Sequence, residues 1–313
     1  MTLPAVVAGS AIPVLARAVA GQLGTSMTSC LTERFPDGEA HVSLRDSVSG
    51  EDVYVIQSTG PPVDEHLMEL ALLTDACRRA EAGRVTAVMP YFGYARQDRR
   101  SGVGDAVAIP VVANLLVGAG VDRILVVDPH SPALEASFGV PVESVSATPL
   151  LASALERHLP EHPVLVAPDL GAVKLAERLA TRLDVPAAFV SKSRLSGTEV
   201  ETTGIVGEVR GRVPVIVDDM VSTGGTLEAA CGALRDAGSD TGFLVAATHG
   251  LLVGNAVERL SALPLSMLVL TDSLPLSTDS PLPLRVETLA GLLGTAIGRL
   301  HRHDPLGELS SHG

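Results

Sequence analysis

Basic residues are in short supply in this sequence. Its 313 residues include 23 Lys and Arg against 36 Asp and Glu, which gives a formal net charge of −13 at pH 7. Because a nucleic-acid-binding surface needs Lys and Arg clustered on one face, this balance argues against a nucleic-acid partner. A small anionic ligand would have to be held by a local site rather than by a basic surface.

Cysteines and long apolar runs are also scarce. Cys30, Cys77 and Cys231 are too far apart for a CxxC pair, and their odd number fits a reducing compartment better than a disulfide framework. The long uncharged stretch over residues 106–121 contains a proline and an asparagine and is shorter than the ~18 apolar residues of a membrane span. We therefore expect a cytoplasmic protein with no membrane partner.

Several motifs of nucleotide and metal binding are missing. The sequence has no GxxxxGK[ST] element and no HExxH, so a nucleotide would have to be bound without a P-loop. The GVG of residues 102–104 lacks the third glycine of a dinucleotide fingerprint. His301 and His303, next to a polar C-terminal tail that is expected to be loose, are predicted to be solvated rather than to bind a metal.

Short apolar runs alternate with longer helical patterns along the chain, which is typical of βαβ units and a parallel sheet. The runs are mostly apolar throughout, as expected when helices cover both faces of a sheet. At roughly 150 residues per domain, the length indicates about two α/β domains. The predicted strands are residues 52–58, 84–91, 123–128, 163–169, 187–192, 214–219, 241–250 and 266–272, with a helix over 64–82.

Polar residues cluster where these runs stop. In open α/β sheets, ligands bind outside the carboxyl ends of the strands, so a site is expected there. The alternative for any one position is that the residue only caps a strand and begins a turn. The positions are Arg96 to Arg99, Asp128, His130, Asp169, Lys192, Arg194, Asp218, Asp219, Thr248 and His249.

The segment VPVIVDDMVSTGGTL, residues 213–227, predicts a phosphate site. Two glycines allow close approach of the backbone to a ligand, and the turn leads into a helical pattern whose N-terminus favours a phosphate. Asp218 and Asp219 do not suit the same phosphate, but their oxygens accept hydrogen bonds from sugar hydroxyls. The segment therefore predicts a phosphorylated sugar, with its phosphate in the turn formed by Ser222, Thr223, Gly224, Gly225 and Thr226.

Over nearly its whole length the chain resembles the ribose-phosphate pyrophosphokinases, which form phosphoribosyl diphosphate (PRPP) from ATP and ribose 5-phosphate. The DDxxxTGGT element alone would indicate only a phosphoribosyltransferase-like fold, but several further motifs match in order. They are RFPDGEAHV (34–42), DVYVIQST (52–59), LMELALLTDACRRA (67–80), PYFGYARQDRR (90–100), DPHS (128–131), APDLGAV (167–173), SKSR (191–194), VDDMVSTGGTL (217–227) and ATHGLLVGNAVERL (247–260).

The resemblance implies two tandem phosphoribosyltransferase-like α/β domains, each a mainly parallel sheet flanked by helices. The first, an N-terminal pyrophosphokinase domain, covers residues 1–147, and the second covers residues 148–288. A C-terminal helix over 289–302 is expected to pack on the first domain. The resemblance also implies a homo-oligomer, because one loop completes the ATP site of a neighbouring subunit.

The resemblance also assigns roles to single positions. Asp218 and Asp219 would hold the ribose hydroxyls, and Ser222 to Thr226 the 5-phosphate. His130 and Asp169 would be metal-site residues for Mg²⁺, although a general-base role for His130 is an alternative because His is an unusual Mg²⁺ ligand. Lys192 and Arg194 would be catalytic, on a mobile loop that closes over the transferring phosphates. The ATP-binding positions are Phe35, Asp37, Glu39, Arg96, Gln97, Asp98 and Arg99.

Four features of the sequence depart from the family pattern. Ser222 replaces an acidic residue, Pro129 replaces a leucine, SKSR stands where DKRR is common, and residues 101–112 contain neither Lys nor Arg where the family has a basic stretch. The departures leave two alternatives to a catalytic synthetase. One is a non-catalytic regulatory paralogue, and the other is a phosphoribosyltransferase, against which the two-domain length and the RQDRR and FPDGE elements argue.

The segment 101–112, which has neither Lys nor Arg, generates a regulatory prediction. The family uses this loop for the phosphates of ATP and for allosteric phosphate or ADP. We expect activation by phosphate and inhibition by ADP to be weak or missing, as measured by initial velocities over a range of each anion at saturating ATP. A velocity that rises steeply with phosphate and is shut down by ADP would contradict this prediction.

Overall fold

A computed structural model describes residues 3–196, 199–240, 242–277 and 279–310, with the side chains of residues 192–203 outside that description. The chain divides into two compact units. Unit 1 consists of Met1–Ala147, Asp272–Pro275 and Thr288–Gly313, and unit 2 of Thr148–Thr271 and Leu276–Glu287.

The helices and strands alternate along most of the chain. Up to residue 147 they are β1 (Ala5–Ala8), α1 (Pro13–Leu23), β2 (Cys30–Arg34), β3 (Ala40–Leu44), β4 (Asp52–Ile56), α2 (Val63–Arg79), β5 (Arg84–Met89), α3 (Ala108–Ala119), β6 (Arg123–Val127), α4 (Ala133–Ser137) and β7 (Val142–Val145). From residue 148 onwards they are α5 (Thr148–Glu156), β8 (Pro163–Ala167), α6 (Val173–Leu183), β9 (Ala187–Ser196), β10 (Glu199–Val206), β11 (Val213–Val221), α7 (Gly225–Asp236), β12 (Phe243–Gly250), α8 (Ala256–Ser261), β13 (Leu265–Thr271), β14 (Leu284–Glu287) and α9 (Ala290–His301).

Unit 1 is built on a parallel sheet with the strand order β1-β4-β5-β6-β7. Alternate strand residues such as Val55 and Met89 pack with Leu70 of α2 and Ile109 of α3 in one apolar cluster. Ile56, which points to the opposite face, is also fully buried. Burial on both faces explains why these strands are apolar throughout rather than alternating.

Unit 2 contains a sheet with the strand order β10-β9-β8-β11-β12-β13-β14, parallel except for the β9–β10 pair. From β8 the chain moves outward to β9 and β10, then returns to β11 and continues in the other direction through β12 and β13. The strand order therefore reverses between β8 and β11. Such a reversal leaves a crevice at the carboxyl ends of the two strands, where ligands of α/β proteins bind. The α/β fold class predicted from the sequence is confirmed.

Strand boundaries differ from the sequence prediction at two places that matter for function. The strand predicted over 187–192 extends to Ser196 and turns back as β10, because its backbone pairs antiparallel with that strand. The strand predicted to stop at Asp219 continues to Val221, because Met220 and Val221 are buried and pair with His249 and Gly250 of β12. Among the described residues, no helix is long and apolar enough to cross a membrane.

The C-terminal tail is not loose up to residue 310, and His301 is not solvated. The His301 side chain is 13% exposed, and its Nδ1 lies 2.8 Å from Oδ2 of Asp52. Two contacts hold the chain that follows α9. The guanidinium of Arg299, on α9, lies 2.7 Å from Glu308, and the Ser146 amide donates to the carbonyl of Leu309 at 2.9 Å. The prediction was wrong because these partners are at least 150 residues away in sequence or lie in the tail itself, where periodicity gives no signal.

Asp52 is the centre of this polar cluster in unit 1. Its carboxylate accepts hydrogen bonds from Nε and Nη2 of Arg84, at 2.8 and 2.5 Å, and from the Tyr54 hydroxyl at 3.0 Å. Burial raises the pKa of Asp52, but the hydrogen bonds from Arg84, His301 and Tyr54 outweigh it and leave the pKa below its ordinary value of 3.8. The ionised carboxylate is thus the form that the fold stabilises.

We expect Asp52→Asn to lower the stability of unit 1 by roughly 2–3 kcal/mol, because the Arg84 charge loses its buried partner. The pKa of Asp52 is lower in the folded protein than in the unfolded chain, so the carboxylate contributes its full stabilisation at a pH above the unfolded-state pKa. This contribution is lost as the pH falls through the folded-state pKa. The difference between wild type and variant, measured as thermal unfolding from pH 8 downwards, should therefore narrow only below about 4.

Asp75→Asn is the matched control for this experiment. Asp75 pairs with Arg79 one turn along α2, and both side chains are well exposed, so little change in Tm is expected. Equal effects of the two substitutions would contradict a structural role for the Asp52 cluster.

Candidate functional site

The paired carboxylates lie inside the central strand of unit 2. Asp218 is in register with Ala247 of β12, and its Oδ1 accepts the Asp219 amide at 2.9 Å. Burial, the charge of Asp219 and then the charge of Asp169 raise the pKa of Asp218 well above its ordinary value. The charges of Asp169 and Asp219 thus act on Asp218, and the three carboxylates form one electrostatic cluster.

Asp169 enters this cluster from the neighbouring strand. It follows the end of β8, which pairs with β11 as far as Val166 and Ile216, on the side where the strand order reverses. Its Oδ1 accepts the amides of Gly171 at 2.9 Å and Ala172 at 3.3 Å, which fixes the entry into α6. Asp169 is thus both a turn residue and a charged group at the crevice between β8 and β11.

The turn after β11 has the geometry of an anion site. Gly224 has φ 76°, in the left-handed region that favours glycine, and α7 begins at Gly225. The first amides of a helix have no acceptor within the helix, so they are available to a phosphate. The side chains of Thr223 and Thr226 are exposed and that of Ser222 is half-buried. This half of the predicted site is therefore assembled in one place, from Asp218 to Thr226.

The carbonyls of the same turn are held by the protein. The Val221 carbonyl accepts the amides of Leu251 and Leu252 at 2.9 and 3.1 Å, and the Ser222 carbonyl accepts the Val253 amide at 3.1 Å. The segment after β12 therefore supports the turn from behind. A further support, Arg259 on α8, donates to the Thr223 carbonyl at 2.9 Å. Sequence reasoning missed Arg259, since only its place in the ATHGLLVGNAVERL motif marks it.

In unit 1, the predicted ATP segment and His130 are connected. The Ser131 hydroxyl, next to His130, donates to Oδ2 of Asp98 at 2.8 Å. The Gln97 carbonyl accepts the Ala108 amide at 2.9 Å, which fixes the segment to the start of α3. The side chains of Arg96, Gln97, Arg99 and His130 are exposed, whereas that of Asp98 is half-buried. Asp98 thus anchors the segment while its neighbours face solvent.

Asp128 has a structural use that the sequence did not separate from a functional one. Its carboxylate accepts the Ser146 hydroxyl at 2.8 Å and the Ala147 amide at 2.9 Å. These bonds hold together the chain segments that follow β6 and β7. For Asp128, the alternative that a strand-end residue shapes a turn therefore applies.

Phe35, Asp37 and Glu39 lie at the tip of the β2–β3 hairpin in unit 1. The amide of Phe35 donates to the Glu39 carbonyl at 2.8 Å, and Asp37 accepts the Glu39 amide at 3.1 Å, so the tip is a closed turn. The Phe35 ring is 47% exposed, with its centroid 5.5 Å from that of His41. The hairpin thus presents an aromatic ring and two exposed carboxylates together.

The side chains of Lys192 and Arg194 lie outside the described residues. Their backbone belongs to β9, where Lys192 is in register with Thr203 and Arg194 with Glu201 of β10. The segment expected to be a loop is therefore a two-stranded ribbon over this stretch.

Mg²⁺ usually takes one or two protein carboxylates and completes its shell with water and substrate phosphates. Asp169, Asp218 and Asp219 supply suitable oxygens, and the pKa of Asp218 is raised first by burial and then by the neighbouring negative charges, which a cation would offset. The oxygen donors of these residues are therefore of the type that Mg²⁺ prefers. His130 belongs to unit 1 and Asp169 to unit 2. Among the described residues, no group of three or more His, Cys, Asp or Glu side chains is placed so that it could hold a metal ion.

Two family models match the chain. Residues 4–120 match the N-terminal domain of ribose phosphate pyrophosphokinase, and residues 150–250 match the phosphoribosyl transferase domain.

Full-length relatives and a solved structure agree with the two models. The ribose-phosphate pyrophosphokinase of Burkholderia pseudomallei is 42% identical over 96% of this chain and 95% of its own length. That of Gloeobacter violaceus is 39% identical over 96% of this chain and 91% of its own length. The crystal structure of phosphoribosylpyrophosphate synthetase from Mycobacterium smegmatis superposes with a TM-score of 0.90 at 35% identity, covering 96% of this chain and all of that one. On these similarities, the chain belongs to the ribose-phosphate pyrophosphokinase family.

Proposed function

We propose that this protein transfers the β,γ-diphosphoryl group of ATP to the C1 hydroxyl of ribose 5-phosphate, giving PRPP and AMP for nucleotide biosynthesis. The observation that carries the proposal is the arrangement in unit 2, where two half-buried carboxylates directly precede a turn at a helix N-terminus, beside the reversal of strand order. A phosphorylated sugar satisfies both parts, because its hydroxyls donate to carboxylates and its phosphate accepts from amides.

The substrate would lie along the chain direction from β11 into α7. Its 5-phosphate accepts hydrogen bonds from the first-turn amides of α7 and from the hydroxyls of Thr223 and Thr226. Its ring hydroxyls donate to Asp218 and Asp219. Because the pKa of Asp218 is raised in the free protein, hydroxyl donors to this pair stabilise the ionised form and relieve part of the repulsion.

The chemical step is an in-line displacement at the β-phosphorus of ATP. A bond forms between the C1 oxygen of the sugar and the β-phosphorus, and the bridging bond to the α-phosphate breaks. The electron pair leaves with AMP, and the proton of the sugar hydroxyl passes to solvent, directly or through His130 as general base. The protein's task is to position both substrates and to stabilise charge on the transferred group and on AMP. By family resemblance, Lys192 and Arg194 supply the positive charges that stabilise it.

Mg²⁺ is proposed as the cofactor, held by Asp169 with His130 in contact directly or through water. When bound, it neutralises charge on the diphosphoryl group. The chain's own contribution is to keep the Asp169 carboxylate oriented through its bonds to the Gly171 and Ala172 amides.

ATP is proposed to bind through residues of unit 1. The exposed Arg96, Gln97 and Arg99 offer donors, and Asp98 holds their segment beside His130 through Ser131. Phe35, Asp37 and Glu39 would complete the ATP site of a neighbouring copy, so we propose a homo-oligomer. The exposed Phe35 ring at the hairpin tip supports this proposal, because a large exposed aromatic side chain is common in interfaces.

Formation of AMP and PRPP from ATP, ribose 5-phosphate and Mg²⁺ tests the proposed function directly. Lys192→Ala is expected to lower kcat by about 10²–10³, because the transition state loses the positive charge that Lys192 places beside the transferred diphosphoryl group. Lys174→Ala is the matched control, since Lys174 is the other lysine of the sequence and lies exposed on α6. Absence of turnover in the wild type would overturn the proposal and favour a binding paralogue.

Asp218→Asn should separate binding from stability. We expect the KM for ribose 5-phosphate to rise by about 10–100-fold, because a charge-assisted hydrogen bond to a sugar hydroxyl is weakened. Without ligand or metal, however, the Tm at pH 8 should increase, because the variant no longer buries a charge beside Asp219 and Asp169.

The pH dependence of this stabilisation follows from the raised pKa of Asp218. Asp218 has a higher pKa in the folded protein than the 3.8 of the unfolded chain, so its ionisation destabilises the fold once the pH exceeds 3.8. The destabilisation reaches its full size at a pH above the folded-state pKa. The Tm gain of Asp218→Asn should therefore shrink as the pH is lowered towards 4. Glu177→Gln, an exposed change on α6, should give no such trend. A gain that does not depend on pH would contradict the assigned cause.

A further inference from the structure

Arg259 contacts the phosphate turn of unit 2 at more than one point. It lies on α8, with its side chain 26% exposed, and its Nη1 donates to the Thr223 carbonyl at 2.9 Å. The same Nη1 lies 3.2 Å from the position that a Cβ on Gly225 would occupy. The guanidinium is therefore packed against the outer side of the turn, at the residue where α7 begins.

The Thr223 carbonyl completes a series of supported carbonyls. Those of Val221 and Ser222 accept amides from residues 251–253, and that of Gly224 accepts the Glu228 amide at 2.9 Å. The Thr223 carbonyl accepts its hydrogen bond from a side chain, that of Arg259, whereas the other three accept backbone amides. Holding all four carbonyls on the protein side orients the intervening amides towards a ligand, which is how a turn binds an anion.

Arg259 also contacts an acidic residue beside the turn. Its Nε lies 2.9 Å from Oε2 of Glu228, in the first turn of α7. A carboxylate at a helix N-terminus suits the helix dipole but repels a phosphate bound at the same end. The Arg259 charge offsets that repulsion.

We propose that Arg259 is a positioning residue for the sugar-phosphate substrate, which holds the Thr223 carbonyl and neutralises Glu228. Resting on the proposed function, this inference deepens it by adding a residue that acts through the turn rather than on the reacting atoms. It also assigns α8, which sequence reasoning left without a role, to recognition of the 5-phosphate.

Arg259→Ala is expected to raise the Kd for ribose 5-phosphate about tenfold to a hundredfold, because a charge-assisted hydrogen bond is lost and a carboxylate near the phosphate is left unbalanced. Titration calorimetry with ribose 5-phosphate alone measures this without turnover. In assays, the KM for ribose 5-phosphate should rise while the KM for ATP stays unchanged. A purely structural role would weaken both substrates together.

Three further variants divide the effect. Arg259→Lys keeps the charge but not the fork that reaches Thr223 and Glu228 together, so an intermediate Kd is expected. Adding Glu228→Gln to Arg259→Ala should restore part of the affinity, because the repelling carboxylate is gone. Arg235→Ala is the matched control, since Arg235 is exposed about 15 Å away at the other end of α7, and a wild-type Kd is expected.

The outcomes separate the two proposals. If wild type binds ribose 5-phosphate and forms PRPP while the Arg259 variants keep the wild-type Kd, the positioning role is wrong and the proposed function stands. If wild type neither binds nor reacts, both fall. Should Arg259→Ala fail to fold by circular dichroism, Arg259→Met, which keeps the length of the side chain, carries the same test and the same outcomes.

Discussion

Repulsion among the carboxylates of Asp169, Asp218 and Asp219 is the interaction on which the candidate site depends. Two of them lie within β11 rather than after it, so the sheet itself fixes their positions and holds them against their mutual repulsion. Burial, and then the charges of Asp219 and Asp169, raise the pKa of Asp218. A site that binds hydroxyl donors and a cation gains from charge that is already assembled, because no carboxylate has to be moved when the ligands arrive.

The reversal of strand order explains why this charge gathers in unit 2. Unit 1 winds in one direction, from β1 through β4 to β7, and the described part of its sheet has no comparable reversal. Its strand-end polar groups are largely used within the unit. Asp128 bonds the chain after β7, and Gln57 after β4 donates to the buried carboxylate of Glu69 at 3.1 Å. The groups that unit 1 offers to a ligand are instead on its longer connections, at the hairpin tip and over residues 96–99.

Sequence patterns identified the parts of the fold that local residues determine. Apolar runs predicted the central strands, and the Gly-rich turn predicted the start of α7, because burial on both faces and positive φ at Gly224 restrict residue type locally. The β9–β10 ribbon and the bonded tail were missed, since backbone pairing and the His301–Asp52 contact leave no periodic signal. Motif matches named the candidate ligand groups, but they did not distinguish Asp128, which shapes a turn, from Asp169, which also bears charge at the crevice.

The phosphate turn illustrates why a short motif is not a complete site. Its amides are usable only because its carbonyls are held elsewhere, and for Val221, Ser222 and Thr223 the donors come from residues 251–259, about thirty positions downstream. Since β12 pairs with β11 up to Gly250, the chain leaves the sheet beside the turn and reaches these carbonyls without a long connection. A turn with the same residues but no neighbouring parallel strand would lack this support. The parallel pairing of β11 and β12 therefore supports the proposed phosphate site, although neither strand contributes an amide to it.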